Sequence, residues 1–158
     1  MWDTTDKWGW HAATSEVDDL ANQDLTGRIL LIDDDPHFLR VLSRILTGEK
    51  FDVTTASDAC KAIELLRTAR FDLVISDLRM PECDGLNLLQ AVRSGGNEVP
   101  VIILTAYGEV DTYLEAMNAG ATEYLSKPIK SDELLKVVRT CLRKGNAHKD
   151  QQNDCTAA

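Results

Sequence analysis

The chain has 158 residues, of which 44% are hydrophobic and 27% charged, and it carries a formal net charge of -9. That length fits one compact domain of about 100 to 150 residues with short extensions, and that composition supplies a core without disulfides or metal staples. The acid excess argues against a broad basic surface for nucleic acid. The apolar runs at 29–32 and 99–104 fall far short of the roughly 20 residues a membrane helix needs. Cys60, Cys83, Cys141 and Cys155 form no C-x-x-C pair, and no apolar signal-peptide core precedes them. They read as reduced thiols in a cytoplasmic protein.

Residues 1–26 form an acidic leader in which Asp3, Asp6, Glu16, Asp18, Asp19 and Asp24 stand against the single base Lys7, and it holds all three tryptophans, Trp2, Trp8 and Trp10. It lacks a hydrophobic period, so a mostly disordered extension is expected, with an aromatic docking strip as the alternative. From 27 to 144, short apolar runs alternate with segments of helical period, the pattern of repeated βα units. Strands are expected over 28–32, 51–56, 71–76, 99–104 and 122–126. After the first strand, Asp35 suits an N-cap and Pro36 the first helical position, with Leu39, Leu42, Ile45 and Leu46 on one face. A fourth helix is expected over about 110–119. The last begins near Ser131, with Asp132 and Glu133 in its first turn and Lys136, Arg139 and Arg143 further on. It is expected to stop before Gly145, leaving 145–158 as a polar tail.

Strands one, three and four are almost continuously apolar, as central parallel strands are, whereas strands two and five mix polar and apolar residues, as edges do. With right-handed crossovers this gives a doubly wound α/β fold, a flavodoxin-like five-stranded parallel sheet of order 2-1-3-4-5. The connections reverse direction between strands one and three, which opens a crevice at their C-terminal ends. Asp33, Asp34 and Asp35 follow strand one there, Asp77 follows strand three, Thr105 ends strand four, and Lys127 with Pro128 follows strand five.

Gathered carboxylates repel: two unit charges about 4 Å apart at an effective dielectric of about 20 do so by roughly 4 kcal/mol. A hard divalent cation with oxygen ligands offsets that, and Mg²⁺ typically takes one or two carboxylates, waters and a phosphate oxygen. Such a cation orients phosphoryl oxygens, and an adjacent aspartate can act as nucleophile to give an aspartyl phosphate.

Four segments in order, Leu31-Ile32-Asp33-Asp34-Asp35, Ser76-Asp77-Leu78-Arg79-Met80-Pro81 running on to Asp84-Gly85, Leu104-Thr105-Ala106-Tyr107, and Tyr124-Leu125-Ser126-Lys127-Pro128, resemble those of response-regulator receiver domains. The resemblance spans 28–143. It implies that Asp77 accepts a phosphoryl group from a sensor histidine kinase or phosphotransfer protein. It also implies Mg²⁺ ligated by Asp34 directly, by Asp33 mainly through water, by Asp77 and by the backbone carbonyl of Arg79. Lys127 would pair with one phosphoryl oxygen and Thr105 would hydrogen-bond another, with Pro128 in a cis turn and Asp35 left to cap the helix. Thr105 and Tyr124 would act as the switch pair, and Arg79 and Tyr107 would tune phosphoryl lifetime. The output would be a changed surface on the fourth helix, fifth strand and fifth helix, read by an unknown effector, with phosphorylation-dependent homodimerisation open. No outside substrate would be turned over.

Two alternatives belong to other classes. In a haloacid-dehalogenase-like phosphatase, Asp33-Asp34-Asp35 would be the D-x-D motif, but Asp77 is then unexplained and a further acidic motif after Lys127 is missing. In a phosphorylation-independent interaction module, the full set of Asp33, Asp34, Asp77, Thr105 and Lys127 would have no use. Only a short tail follows Arg143, so a stand-alone receiver without its own DNA-binding output is expected, with a piece of a longer regulator as the other option.

Overall fold

Alternating elements run through the computed structural model, which describes residues 26–106 and 108–154, the stretch 148–154 by backbone alone. The tryptophans of the leader, Tyr107 and the residues from 155 onward lie outside the described residues. The strands are β1 (Arg28–Ile32), β2 (Asp52–Ala56), β3 (Leu73–Ser76), β4 (Val101–Thr105) and β5 (Glu123–Ser126). Between and after them come helices α1 (Pro36–Gly48), α2 (Ala59–Thr68), α3 (Gly85–Ser94), α4 (Val110–Asn118) and α5 (Ser131–Asp154).

Every strand pairing is parallel, and the order is β2-β1-β3-β4-β5, as the apolar patterning predicts. The period of two along each strand divides its side chains between two cores. Leu30, Ile32, Val74 and Ile103 pack with Ala62, Leu88, Leu89 and Ala116 of α2, α3 and α4. Ile29, Leu31, Leu73, Ile75, Ile102 and Leu104 pack with Leu42, Leu46, Leu134 and Val138 of α1 and α5. Both faces of β1, β3 and β4 are thus covered, which is why those runs are apolar throughout.

Four strands begin one or two residues later than expected, and ahead of three of them Phe51, Phe71 and Val99 are buried outside the ladder. Phe51 shows the cause: its N–H goes back to Leu46 O at 3.2 Å, closing the end of α1 before pairing starts. The start of α1 is as expected, with the Asp35 carboxylate accepting from His37 N at 2.9 Å and Pro36 at the first position.

The expected end of the last helix is corrected: α5 continues through Gly145 to Asp154. Glycine inside a helix costs about 1 kcal/mol relative to alanine, which is too little to end a helix that meets no proline. A Cβ at Gly145 would lie 3.3 Å from Pro100 Cγ, so the glycine also permits close approach to the start of β4. Arg93 of α3 closes the same end of the molecule, donating to the carbonyls of Asn97 at 2.9 Å, Val99 at 2.8 Å and Gly120 at 2.8 Å. No helix among the described residues is long and apolar enough to cross a membrane.

Gly85 fixes the turn that follows β3. Its N–H donates to Leu78 O at 2.7 Å, and a Cβ there would run into the backbone carbonyl oxygen of Asp77. Gly85→Ala is therefore expected to lower stability by about 1 to 3 kcal/mol, the usual cost of overpacking. Urea denaturation of the two proteins measures it, and an unchanged midpoint would show that the turn relaxes freely.

Candidate functional site

The parallel sheet sends every strand's C-terminal end to one edge, and short backbone bonds carry the ladder into the loops there. Asp33 N donates to Ala56 O at 3.2 Å, Asp77 N to Ile32 O at 3.0 Å, and Lys127 N to Thr105 O at 2.7 Å. The residues after β1, β3 and β5 are thereby placed by the sheet itself.

Asp33 is 1% exposed and has partners on both oxygens. Oδ1 accepts from Asp35 N at 2.9 Å, and Oδ2 accepts from Lys127 Nζ at 2.8 Å. The same ammonium lies 3.7 Å from Asp77 Oδ2 and 4.0 Å from the ring centre of Phe38. Asp34 is exposed at the mouth. One carboxylate oxygen from each of Asp33, Asp34 and Asp77 can be chosen so that all lie within 4.8 Å of one another. A cluster of hard oxygen donors this tight fits a divalent cation of the Mg²⁺ class.

The charge balance at Asp77 follows from this crowding. Burial pushes its carboxyl above the ordinary aspartate value, Lys127 pulls it down, Asp33 and Asp34 push it up, and the Leu78 N–H pulls it down. The upward push wins. A single ammonium shared with Asp33 does not neutralise three acids.

The remaining expected residues take these places. Thr105 is fully buried as the last residue of β4, level with Ser126 of β5. Tyr124 is half-buried, its hydroxyl 2.9 Å from Thr112 Oγ1 and its ring edge-on to Tyr113 with centroids 5.6 Å apart. Arg79 is exposed in the loop after β3, and the Lys127–Pro128 bond is cis. Tyr107 lies outside the described residues.

Two participants escape sequence reasoning. Ser76 Oγ donates to the Asp77 carbonyl at 3.0 Å, and a serine at a strand end gives no sign of it. Phe38 approaches Lys127 across 89 positions of sequence. Its one visible signal is an aromatic residue in the first turn of a helix that begins beside three acids.

The model of the response regulator receiver domain family matches residues 29–139. The transcriptional regulatory protein ZraR of Klebsiella oxytoca is 41% identical over 67% of this chain and 24% of its own length. The two-component response regulator ORR24 of rice (Oryza sativa subsp. indica) is 39% identical over 80% of this chain and 21% of its own. The chain thus spans about a fifth to a quarter of these curated relatives. A CheY-like receiver domain protein from Methanospirillum hungatei superposes with a TM-score of 0.74 at 27% identity, covering 78% of this chain and 99% of that one.

The raised Asp77 carboxyl has a stability consequence of definite sign. An acid that binds its proton more tightly when folded stabilises the fold at low pH, and that gain is lost as pH rises from the unfolded-state pKa through the folded one. At neutral pH the ionised Asp77 is therefore a net liability. In chelator, Asp77→Asn is expected to melt higher than the parent at neutral pH, and the difference should shrink as pH falls into the carboxylate range. Thermal denaturation across pH checks this, and a lower-melting Asn variant at neutral pH would contradict it.

Proposed function

Because the chain belongs to the response regulator receiver domain family, a signalling family and not a conventional enzyme class, we propose that it takes up a phosphoryl group on Asp77. The donor is a sensor histidine kinase or phosphotransfer protein of a two-component or phosphorelay system. The observation that carries this reading is the meeting of Asp33, Asp34 and Asp77 within 4.8 Å, with the Lys127 ammonium at 2.8 Å from one and 3.7 Å from another.

In the transfer, an Asp77 carboxylate oxygen attacks phosphorus, the O–P bond forms, and the N–P bond to the donor histidine breaks, leaving its ring nitrogen with the electron pair. Lys127 stands close enough to exchange its longer contact with Asp77 for one to a phosphoryl oxygen. Asp33, Asp34, Asp77 and the backbone carbonyl of Arg79 would hold Mg²⁺. Both Asp33 oxygens already have partners, which favours Asp33 acting through water and the exposed Asp34 binding directly. When bound, the ion supplies charge neutralisation for the phosphoryl oxygens.

The output is a shift between two conformations. Thr105, buried at the end of β4, hydrogen-bonds the phosphoryl group, and Tyr124 exchanges its place beside Thr112 for a more inward one. The changed surface is α4, β5 and α5. Val110, Tyr113, Leu114 and Met117 leave an apolar stripe on α4 that is 36% to 74% exposed, which supports a protein partner there, an unknown effector or a second copy of the chain. We place the protein in the cytoplasm, acting without direct nucleic-acid contact or membrane insertion.

Incubation with acetyl phosphate and Mg²⁺ is expected to label Asp77, with the label absent in Asp77→Asn and in chelator. Label on Asp33 would instead favour the phosphatase chemistry. Arg79 and Tyr107 are assigned to shielding the phosphoryl group from water, so Arg79→Ala and Tyr107→Ala should shorten its lifetime severalfold. Unchanged decay of isolated phosphoprotein would remove them from that role.

A further inference from the structure

We propose that Phe38 is a positioning residue for Lys127, its ring face holding the ammonium over the crevice while the ammonium exchanges one anionic partner for another. The inference rests on the proposed phosphorylation of Asp77 and goes beyond it by assigning a role to a side chain outside the acidic cluster.

The Lys127 ammonium carries three N–H donors on a flexible four-carbon stem, and nothing in such a stem fixes where the charge sits. In this crevice the acceptors are unequal: Asp33 Oδ2 is at 2.8 Å and Asp77 Oδ2 at 3.7 Å. Left to those two, the ammonium would settle on Asp33, which is buried and cannot follow it. The third neighbour is the Phe38 ring, 4.0 Å from Nζ to the centroid, well inside the range over which a cation is drawn to an aromatic face.

Phe38 is itself well anchored. It lies in the first turn of α1, one residue after His37, whose N–H is capped by Asp35, and its side chain packs against the core between the sheet and α1 and α5. The ring therefore has a fixed place relative to Asp33, two residues before the cap. An ammonium held by a hydrogen bond must stay at one distance and angle. Over a ring face the attraction comes from the quadrupole and varies slowly with position, so Nζ can slide toward a phosphoryl oxygen without first returning to water. An aliphatic residue of similar bulk would fill the space but offer no such attraction.

The test uses the full chain and separates the contact from the chemistry. In metal-free wild-type protein, the Lys127 ε-methylene protons should be shifted upfield by the ring, a signature that Phe38→Tyr keeps and Phe38→Leu loses. Beryllofluoride with Mg²⁺, as a phosphoryl mimic, should bind Phe38→Leu about fivefold more weakly than wild type, the size expected of one cation–π contact, with Phe38→Tyr close to wild type. An unshifted Lys127 in wild type, equal beryllofluoride affinity in the Leu variant, or an equal loss in the Tyr and Leu variants would each overturn the proposal. Wild-type protein that binds no beryllofluoride would sink the phosphorylation reading instead, while the proton shifts would still decide the contact.

Discussion

The ion pair between Lys127 and Asp33 is the interaction on which the site depends. It joins the residue after edge strand β5 to the residue after β1, passing over the ends of β4 and β3. Asp33 is buried beside two further acids, and a buried carboxylate stripped of its partner costs about 3 to 5 kcal/mol. The ammonium therefore makes the gathering of acids tolerable, but it does not finish the task. Asp77 stays above its ordinary value, and the crevice remains short of positive charge. That deficit is one a bound cation would offset, and it is built from the same residues that would handle a phosphoryl group.

Much of this was legible in one dimension because the features concerned are local or periodic. Continuous apolar runs such as Val101-Ile102-Ile103-Leu104 mark strands covered on both faces, mixed runs mark edges, and those two facts together with right-handed crossovers lead to the strand order. Asp35 and Pro36 announce the start of α1 through short-range chemistry. The position of Asp33, Asp77, Thr105 and Lys127 on one edge then follows from topology. What the sequence hid are contacts made across long separations, where side-chain packing decides the partner: Lys127 on Asp33 and on Phe38, Tyr124 on Thr112, and Arg93 on Gly120. The end of α5 was misjudged because glycine is a weak breaker, and its tolerance at Gly145 comes from a neighbour, Pro100, far away in the chain.

The sheet separates two kinds of work. Its central strands are fully buried, with Ile29, Leu30, Ile32, Leu73, Val74, Ile102 and Ile103 shut away from water. Around β5 and α4 the packing is looser: Tyr124 is half-buried, and α4 turns four apolar side chains outward. Arg93 pins the far end of that region by its bond to Gly120, three residues before β5. The end nearest the crevice begins at Glu109, whose side chain makes no capping bond. That end is held instead through Thr112, whose Oγ1 donates to Glu109 O at 2.8 Å and lies 2.9 Å from the Tyr124 hydroxyl.

The length of α5 matters in a way the site alone does not suggest. It starts beside the cis Lys127–Pro128 turn and, at 24 residues, runs about 36 Å. The four- and five-residue strands it packs against are only about 13 to 17 Å long. Leu134, Val138, Cys141 and Leu142 hold its first half in the core, and Gly145 closes on Pro100. Residues 146–154 then carry about 14 Å of helix beyond that point, away from the crevice.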